Sequence, residues 1–275
     1  MLKHIIFLLK EEVKGWDRLE KEIKKHGVRL WKEMPGEDLL LQECLFVTDM
    51  VLVGEKLLLQ KTAVLFWLND KNQEEKTLQF PYAAEGLQEM EFSYLDRVYR
   101  RFHRLPWQIG ETKRCIIREM EEADLDALYE LYADESISRY TENLYEDREK
   151  EREYIRSYID NAYTFWGFGT WIVERKEDHK VIGRVGFNLR QGYEEPELGF
   201  LIGKAYQHQG LAYEVCKEAL AIGRRDYGFT AVQALVQEEN QISGKLCRKL
   251  GFTLGKKVIE QGQQYLLYQI QLAIP

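Results

Sequence analysis

The residues whose types and spacing could do chemistry are concentrated between positions 197 and 220, read as E-L-G-F-L-I-G-K-A-Y-Q-H-Q-G-L-A-Y-E-V-C-K-E-A-L. An apolar run at 198–202, broken by Gly199, leads through a polar turn at Gln207, His208, Gln209 and Gly210. The chain then enters a pattern in which Leu211, Val215, Ala219 and Ile222 share one helical face. Strand, tight turn and helix in that order place successive backbone N–H groups at a helix start, where the helix dipole adds positive potential and an anion is held. Gly210 keeps a side chain away from a closely approaching phosphate, and Ala212 does nearly the same. The same spacing also describes an ordinary strand-to-helix turn with an exposed glycine, so the glycine pattern alone leaves both readings open.

Gln207-x-x-Gly210-x-Ala212 resembles the pyrophosphate-binding loop of the GCN5-related N-acetyltransferases (GNAT): Gln or Arg, two residues, Gly, one residue, Gly or Ala. The stretch I-I-R-E-M-E-E-A-D-L-D-A-L-Y-E-L resembles that superfamily's opening strand and helix. Asn240-x-x-Ser243-x-x-x-Cys247-x-x-x-Gly251-Phe252 resembles its later helix, which lines the coenzyme arm. The resemblance covers residues 114–272 and is strongest to the branch that acetylates protein N-termini.

It implies acetyl-CoA as cosubstrate, held by Leu201, Ile202, Gln207, His208, Gln209, Gly210, Leu211, Ala212, Tyr213, Asn240 and Ser243. It also implies that the strand at 198–202 splays from the strand beginning near Thr230. The implied reaction is direct attack of a primary amine, on a protein N-terminus or a small molecule, upon the thioester. Such a reaction needs a base for the amine and a proton for the leaving thiolate. Glu197 is the first choice of base and Glu195 the second, since apolar surroundings raise a carboxyl pKa toward usefulness. Both also read as loop-end charges. Where many members carry a tyrosine as general acid, this chain has Cys247, which reads more readily as a packed helix cysteine than as a proton donor; Tyr140, Tyr145, Tyr193 and water are the alternatives. A non-catalytic acyl-CoA-sensing or protein-interaction module is the competing reading.

These residues must be positioned by the elements around them. After a boundary at His103, Leu105, Pro106, Trp107 and Gly110, residues 111–275 read as the acetyltransferase domain. It has a short strand at 115–118, a helix at 125–132 and a charged helix at 139–158. A hairpin at 168–174 and 180–188, with His179 exposed in its turn, precedes the 198–202 strand. A strand at 230–236, a helix at 243–250 and a last strand at 264–271 follow.

Residues 1–110 read as a separate α/β domain. Strands at 3–10, 28–31, 44–48, 62–68 and 80–83 alternate with helices at 13–25, 51–60 and 93–102, and residues 69–76 form a polar loop. Continuous apolar runs favour a small parallel sheet. Residues 45–68 and 80–95 faintly resemble a haloacid-dehalogenase-like domain, with Asp49 at the acidic strand end. Phosphatases of that family need an Asp-x-Asp pair to hold Mg2+ and attack phosphorus, and this chain has Lys10, Glu11 and Glu12 there. A degenerate, catalytically silent accessory domain is therefore expected. The fold class is α/β: a small parallel-sheet accessory domain followed by an acyl-CoA N-acyltransferase domain with a central mixed sheet.

A net charge of −7 over 275 residues argues against direct nucleic-acid binding, which needs a basic surface. Anionic coenzyme A in turn requires a locally basic or amide-lined cleft. Cys44, Cys115, Cys216 and Cys247 have no CxxC spacing and no histidine cluster, so free thiols in a reducing cytoplasm are expected and a metal site is not. The apolar run at 5–9 is too short for a signal core or a membrane span. Expected partners are an acyl-CoA and an amine acceptor, with no membrane; a homodimer is compatible with this type of domain.

Overall fold

The computed structural model describes residues 1–36, 39–72, 79–260 and 262–272. The chain divides into two compact units, Met1–Leu105 and Pro106–Pro275. The boundary expected after residue 110 falls within a strand of the second unit's sheet, Gln108–Glu111.

In the first unit the order is β1 (His4–Leu8), α1 (Trp16–Lys25), β2 (Arg29–Trp31), β3 (Cys44–Thr48), α2 (Val51–Leu59), β4 (Ala63–Trp67), β5 (Ala83–Ala84) and α3 (Phe92–Phe102). The strands lie in the order β2-β1-β3-β4-β5, and every pairing is parallel. Because successive strand residues point to opposite faces, Ile5 and Phe7 pack with Leu19, Ile23, Leu95 and Val98 of α1 and α3. Ile6, Phe46 and Phe66 pack on the other face with Leu57 of α2 and Phe80. β3 and β4 are buried along their whole length, the reason their sequences run apolar without alternation. The strand expected at 80–83 is the two-residue β5, since Phe80 is buried in the α2 side of the core. Residues 73–76 of the expected polar loop lie outside the described residues.

The second unit contains β6 (Gln108–Glu111), β7 (Cys115–Arg118), α4 (Leu125–Tyr132), α5 (Glu135–Ser138), α6 (Arg148–Tyr158), β8 (Thr170–Arg175), β9 (Val181–Asn188), β10 (Glu197–Ile202), α7 (Leu211–Tyr227), β11 (Ala231–Gln237), α8 (Gln241–Lys249), β12 (Thr253–Glu260) and β13 (Gln263–Gln271). Its sheet runs β12-β13-β11-β10-β9-β8-β7-β6, antiparallel except for β10 against β11. Of the helix expected at 139–158 only the second half forms, as α6 from Arg148, while the short α5 lies before that range. Asp134 caps α5 by accepting from Ser136 N–H, and Asp147 restarts the chain as α6 by accepting from Glu149 and Lys150 N–H. β12 was not expected from sequence.

The two faces of this sheet differ. Val185, Phe187 and Leu198 belong to the apolar core that α7 joins through Val215 and Ala219. Their neighbours along β10, Glu197, Gly199 and Leu201, point the other way, where Leu201 packs with Leu131 of α4 and Ile137 of α5.

Candidate functional site

Two local departures from regular structure meet in one cleft. The first is in the sheet. β10 pairs with β9 along its full length, from Glu197↔Asn188 to Ile202↔Gly183. With β11 it pairs at one position only, Glu197↔Gln233, where Gln233 N–H donates to Pro196 C=O at 2.9 Å. β11 nevertheless continues against β13 as far as Gln237↔Tyr265, so β10 and β11 diverge. Backbone groups alternate in direction along a strand. Counting from the Pro196 carbonyl, the N–H groups of Phe200 and Ile202 and the C=O groups of Leu198 and Phe200 face the gap.

The second departure is the turn into α7. His208 and Gly210 both take positive φ, 61° and 77°, a region that suits glycine and strains other residues. The first backbone bond of the helix is Glu214 N–H to Gly210 C=O at 3.1 Å. The amides of His208, Gln209, Gly210, Leu211, Ala212 and Tyr213 therefore have no acceptor among the described residues, as expected of an uncapped helix start. Arg114 holds the turn in place: its Nη1 donates to Gln209 C=O at 2.9 Å and its Nε to Glu214 Oε2 at 2.8 Å. The Gln207 side chain is engaged within the turn, donating to Ile202 C=O at 2.9 Å, and Gln209 donates to Ala205 C=O at 3.2 Å.

The gap and the turn open into a cleft of about 660 Å³. Of the residues expected from sequence, Glu197, Leu201, Ile202, Gln207, His208, Gly210, Leu211, Ala212, Tyr213, Asn240 and Ser243 line it; Gln209, Glu195 and Cys247 are not among its lining residues. Asn240 caps α8 by accepting from Ser243 N–H at 3.1 Å. Lys204, Lys245 and Lys249 also line the cleft, with Lys249 Nζ 4.6 Å from the Tyr213 ring centre. An acidic chain thus presents an amide-lined and basic cleft.

Glu197 stands where the divergence begins, and Arg190 donates to both of its oxygens. Cys247 is buried in the apolar core, and burial pushes its thiol up to about 12. A group so shielded is a poor proton donor to a molecule in the cleft. Among the alternatives, Tyr140 lines the cleft and Tyr145 does not. Tyr193 donates to Glu260 at 2.6 Å, and that bond, with burial, holds its hydroxyl up at about 12. Sequence reasoning missed Tyr265 and Gln237, which meet across β13 and β11 at one wall, and Ser136 and Thr141 at the other. Asp134 preceding Ser136 marked a helix start, but nothing local to these residues marked a cleft.

The profile of the acetyltransferase (GNAT) domain matches residues 114–253. Among curated relatives, the uncharacterized N-acetyltransferase YoaA of Bacillus subtilis is 29% identical over 147 residues, covering 52% of this chain and 82% of the relative. The uncharacterized N-acetyltransferase YnaD of the same organism is 28% identical over 158 residues, covering 56% and 89%. An acetyltransferase structure from Agrobacterium tumefaciens superposes with a TM-score of 0.51 at 21% identity, over 59% of this chain and 94% of that one. RimL, a ribosomal L7/L12 alpha-N-protein acetyltransferase in complex with coenzyme A, superposes with a TM-score of 0.52 at 15% identity, over 60% and 98%. At these identities the structures establish the fold.

Proposed function

Since this chain belongs to the acetyltransferase (GNAT) domain family, with CoA-dependent acyl transfer as its general chemistry, we propose that it transfers an acetyl group from acetyl-CoA to a primary amine of a protein N-terminus or small molecule. The carrying observation is the meeting of the β10–β11 gap with the unpartnered amides at 208–213 in one cleft. An anion fits there on two counts: the amides lack acceptors, and Gly210, at positive φ, has no side chain to stand in the approach.

In this reading, the amides of residues 208–213 hold the pyrophosphate, and the exposed edge of β10 orients the chain leading to the thioester. Lys204, Lys245 and Lys249 offset the ligand's negative charge. Acetyl-CoA supplies an activated carbonyl with a good leaving group. Glu197, directly or through water, accepts the proton lost as the amine's C–N bond forms, and Arg190 fixes its orientation. Glu195 is the second candidate for base. For the proton taken up by the departing thiolate, Tyr140 and water are preferred to Cys247. A cytoplasmic location is part of this proposal. Among the described residues, no helix is long and apolar enough to cross a membrane.

A non-catalytic acyl-CoA-sensing module is the second reading, favoured by the burial of Cys247 at the position of the usual tyrosine. For the first unit we retain a degenerate haloacid-dehalogenase-like accessory role without phosphatase action. Support for the missing phosphatase step comes from Asp49, whose oxygens accept from Lys10 N–H at 2.8 Å and Glu11 N–H at 3.0 Å.

The test is release of free CoA by the full chain from acetyl-CoA across a panel of peptides with free N-termini and small amines, with calorimetric titration of CoA alongside. Turnover with micromolar CoA binding, about 8 kcal/mol, is the expected result. Binding without turnover selects the sensing reading, and folded protein that binds no CoA contradicts both.

A further inference from the structure

Arg190 orients Glu197, so the geometry of the proposed base depends on what keeps Arg190 in place. Tyr193 N–H donates to Arg190 C=O at 3.2 Å, and Gly192 takes φ 87°, so residues 190–193 close a tight turn between β9 and β10. Each end of this turn holds a carboxylate. Arg190 donates through Nε and Nη2 to the two oxygens of Glu197, the first residue of β10. The Tyr193 hydroxyl donates to Oε1 of Glu260, the last residue of β12, at 2.6 Å. β11 and β13 lie between β10 and β12 in the sheet, so the turn ties together two strands that do not pair with each other.

The two carboxylates are not independent. The groups that act electrostatically on Arg190 are Glu197, Glu260 and Tyr265, and those that act on Tyr193 are Glu260, Arg190 and Glu197. Tyr265 is engaged elsewhere, donating to Gln263 at 3.2 Å. Two carboxylates thus share the field of one guanidinium, yet among the described residues only Glu197 forms an ion pair with it. What distinguishes Glu260 is its hydroxyl partner, since a short bond from a hydroxyl to a carboxylate satisfies much of the demand of that charge. The bond to Glu260, with burial, holds the Tyr193 hydroxyl up at about 12, so Tyr193 remains a donor at neutral pH. Neither Tyr193 nor Glu260 lines the cleft.

We infer that Tyr193 is a positioning residue for Glu197: by occupying Glu260 it keeps the second carboxylate off Arg190, and both guanidinium donors stay on Glu197. The inference rests on the acetyltransferase reading in taking Glu197 as base. The contest of two carboxylates for Arg190 does not depend on that reading.

The test is a double-mutant cycle on the full chain with Tyr193→Phe, Glu260→Gln and the two combined. Tyr193→Phe frees the Glu260 charge, whereas Glu260→Gln removes the charge and keeps an oxygen for the hydroxyl. With the best amine of the acceptor panel, Tyr193→Phe is expected to lower kcat about tenfold, with acceptor KM and CoA affinity within about twofold of wild type. Glu260→Gln should stay within about twofold, and the double variant should recover to within about threefold of wild type. The Arg190 Nε–H signal in nuclear magnetic resonance of the isotope-labelled chain reads the ion pair without turnover; it should move in Tyr193→Phe and return in the double variant. A tether that only held the turn in place would leave the double variant no better than Tyr193→Phe. That outcome, or an Arg190 signal unmoved by Tyr193→Phe, overturns the inference. Absence of turnover by wild type with every acceptor contradicts the acetyltransferase reading separately, and the Arg190 signal then decides the inference by itself.

Discussion

Two strand ends in this protein face the same electrostatic problem and meet it in opposite ways. After β1, the amides of Lys10 and Glu11 point at a strand end, and the chain supplies their anion itself: Asp49, only 6% exposed, accepts from both and from Asn69 Nδ2 at 3.3 Å. After β10, the amides of residues 208–213 reach the start of α7 without an acceptor, beside a cleft lined by lysines. A carboxylate that closes a strand end is part of the fold. Amides left open at a helix start remain available to hold an anion.

Substitutions that exchange these roles sharpen the contrast. The largest effect is expected at Glu197, the proposed base. Glu197→Gln should lower kcat/KM for the best acceptor about 100-fold with CoA affinity retained, measured by CoA release and calorimetry; undiminished turnover would move the base elsewhere. Asp49→Ala should do the reverse. Leaving the Lys10 and Glu11 amides without their acceptor should destabilise the first unit by about 2 kcal/mol, read by urea denaturation, while CoA affinity stays constant.

Smaller effects are expected at the turn itself. Gly210→Val places a β-branched residue at φ 77° and should weaken CoA about tenfold, since backbone strain there is about 1–2 kcal/mol. Arg114→Ala removes an exposed brace from the Gln209 carbonyl and should weaken CoA only about threefold. An effect of Arg114→Ala as large as that of Gly210→Val would mean that the turn is held open by its brace rather than by its own backbone.

The turn was legible in the sequence because its signals are local: an apolar strand, a polar turn, a glycine and a helical period within a few residues of one another. The parallel sheet of the first unit was legible for the same reason, through the continuous apolar runs of β3 and β4. What the residues alone leave open depends on partners distant in the chain. The divergence of β10 from β11 was expected only through the family resemblance, because it hinges on Glu197 meeting Gln233 and no period in either segment encodes where the pairing stops. β12 is largely exposed, with only Val258 and Glu260 partly covered, so it carries no apolar alternation to betray a strand. The late start of α6 was written in its cap, Asp147, but continuous charge obscured it. Cys247 was ambiguous on a helix of unknown orientation, and its buried position resolves which way it points.

The most direct test follows the backbone amides of the isotope-labelled full chain by nuclear magnetic resonance during titration with CoA. The signals of residues 208–213 should shift as a saturable group with the calorimetric affinity, while those of Lys10 and Glu11 stay in place. Saturable CoA binding that leaves the amides of residues 208–213 unmoved would contradict it.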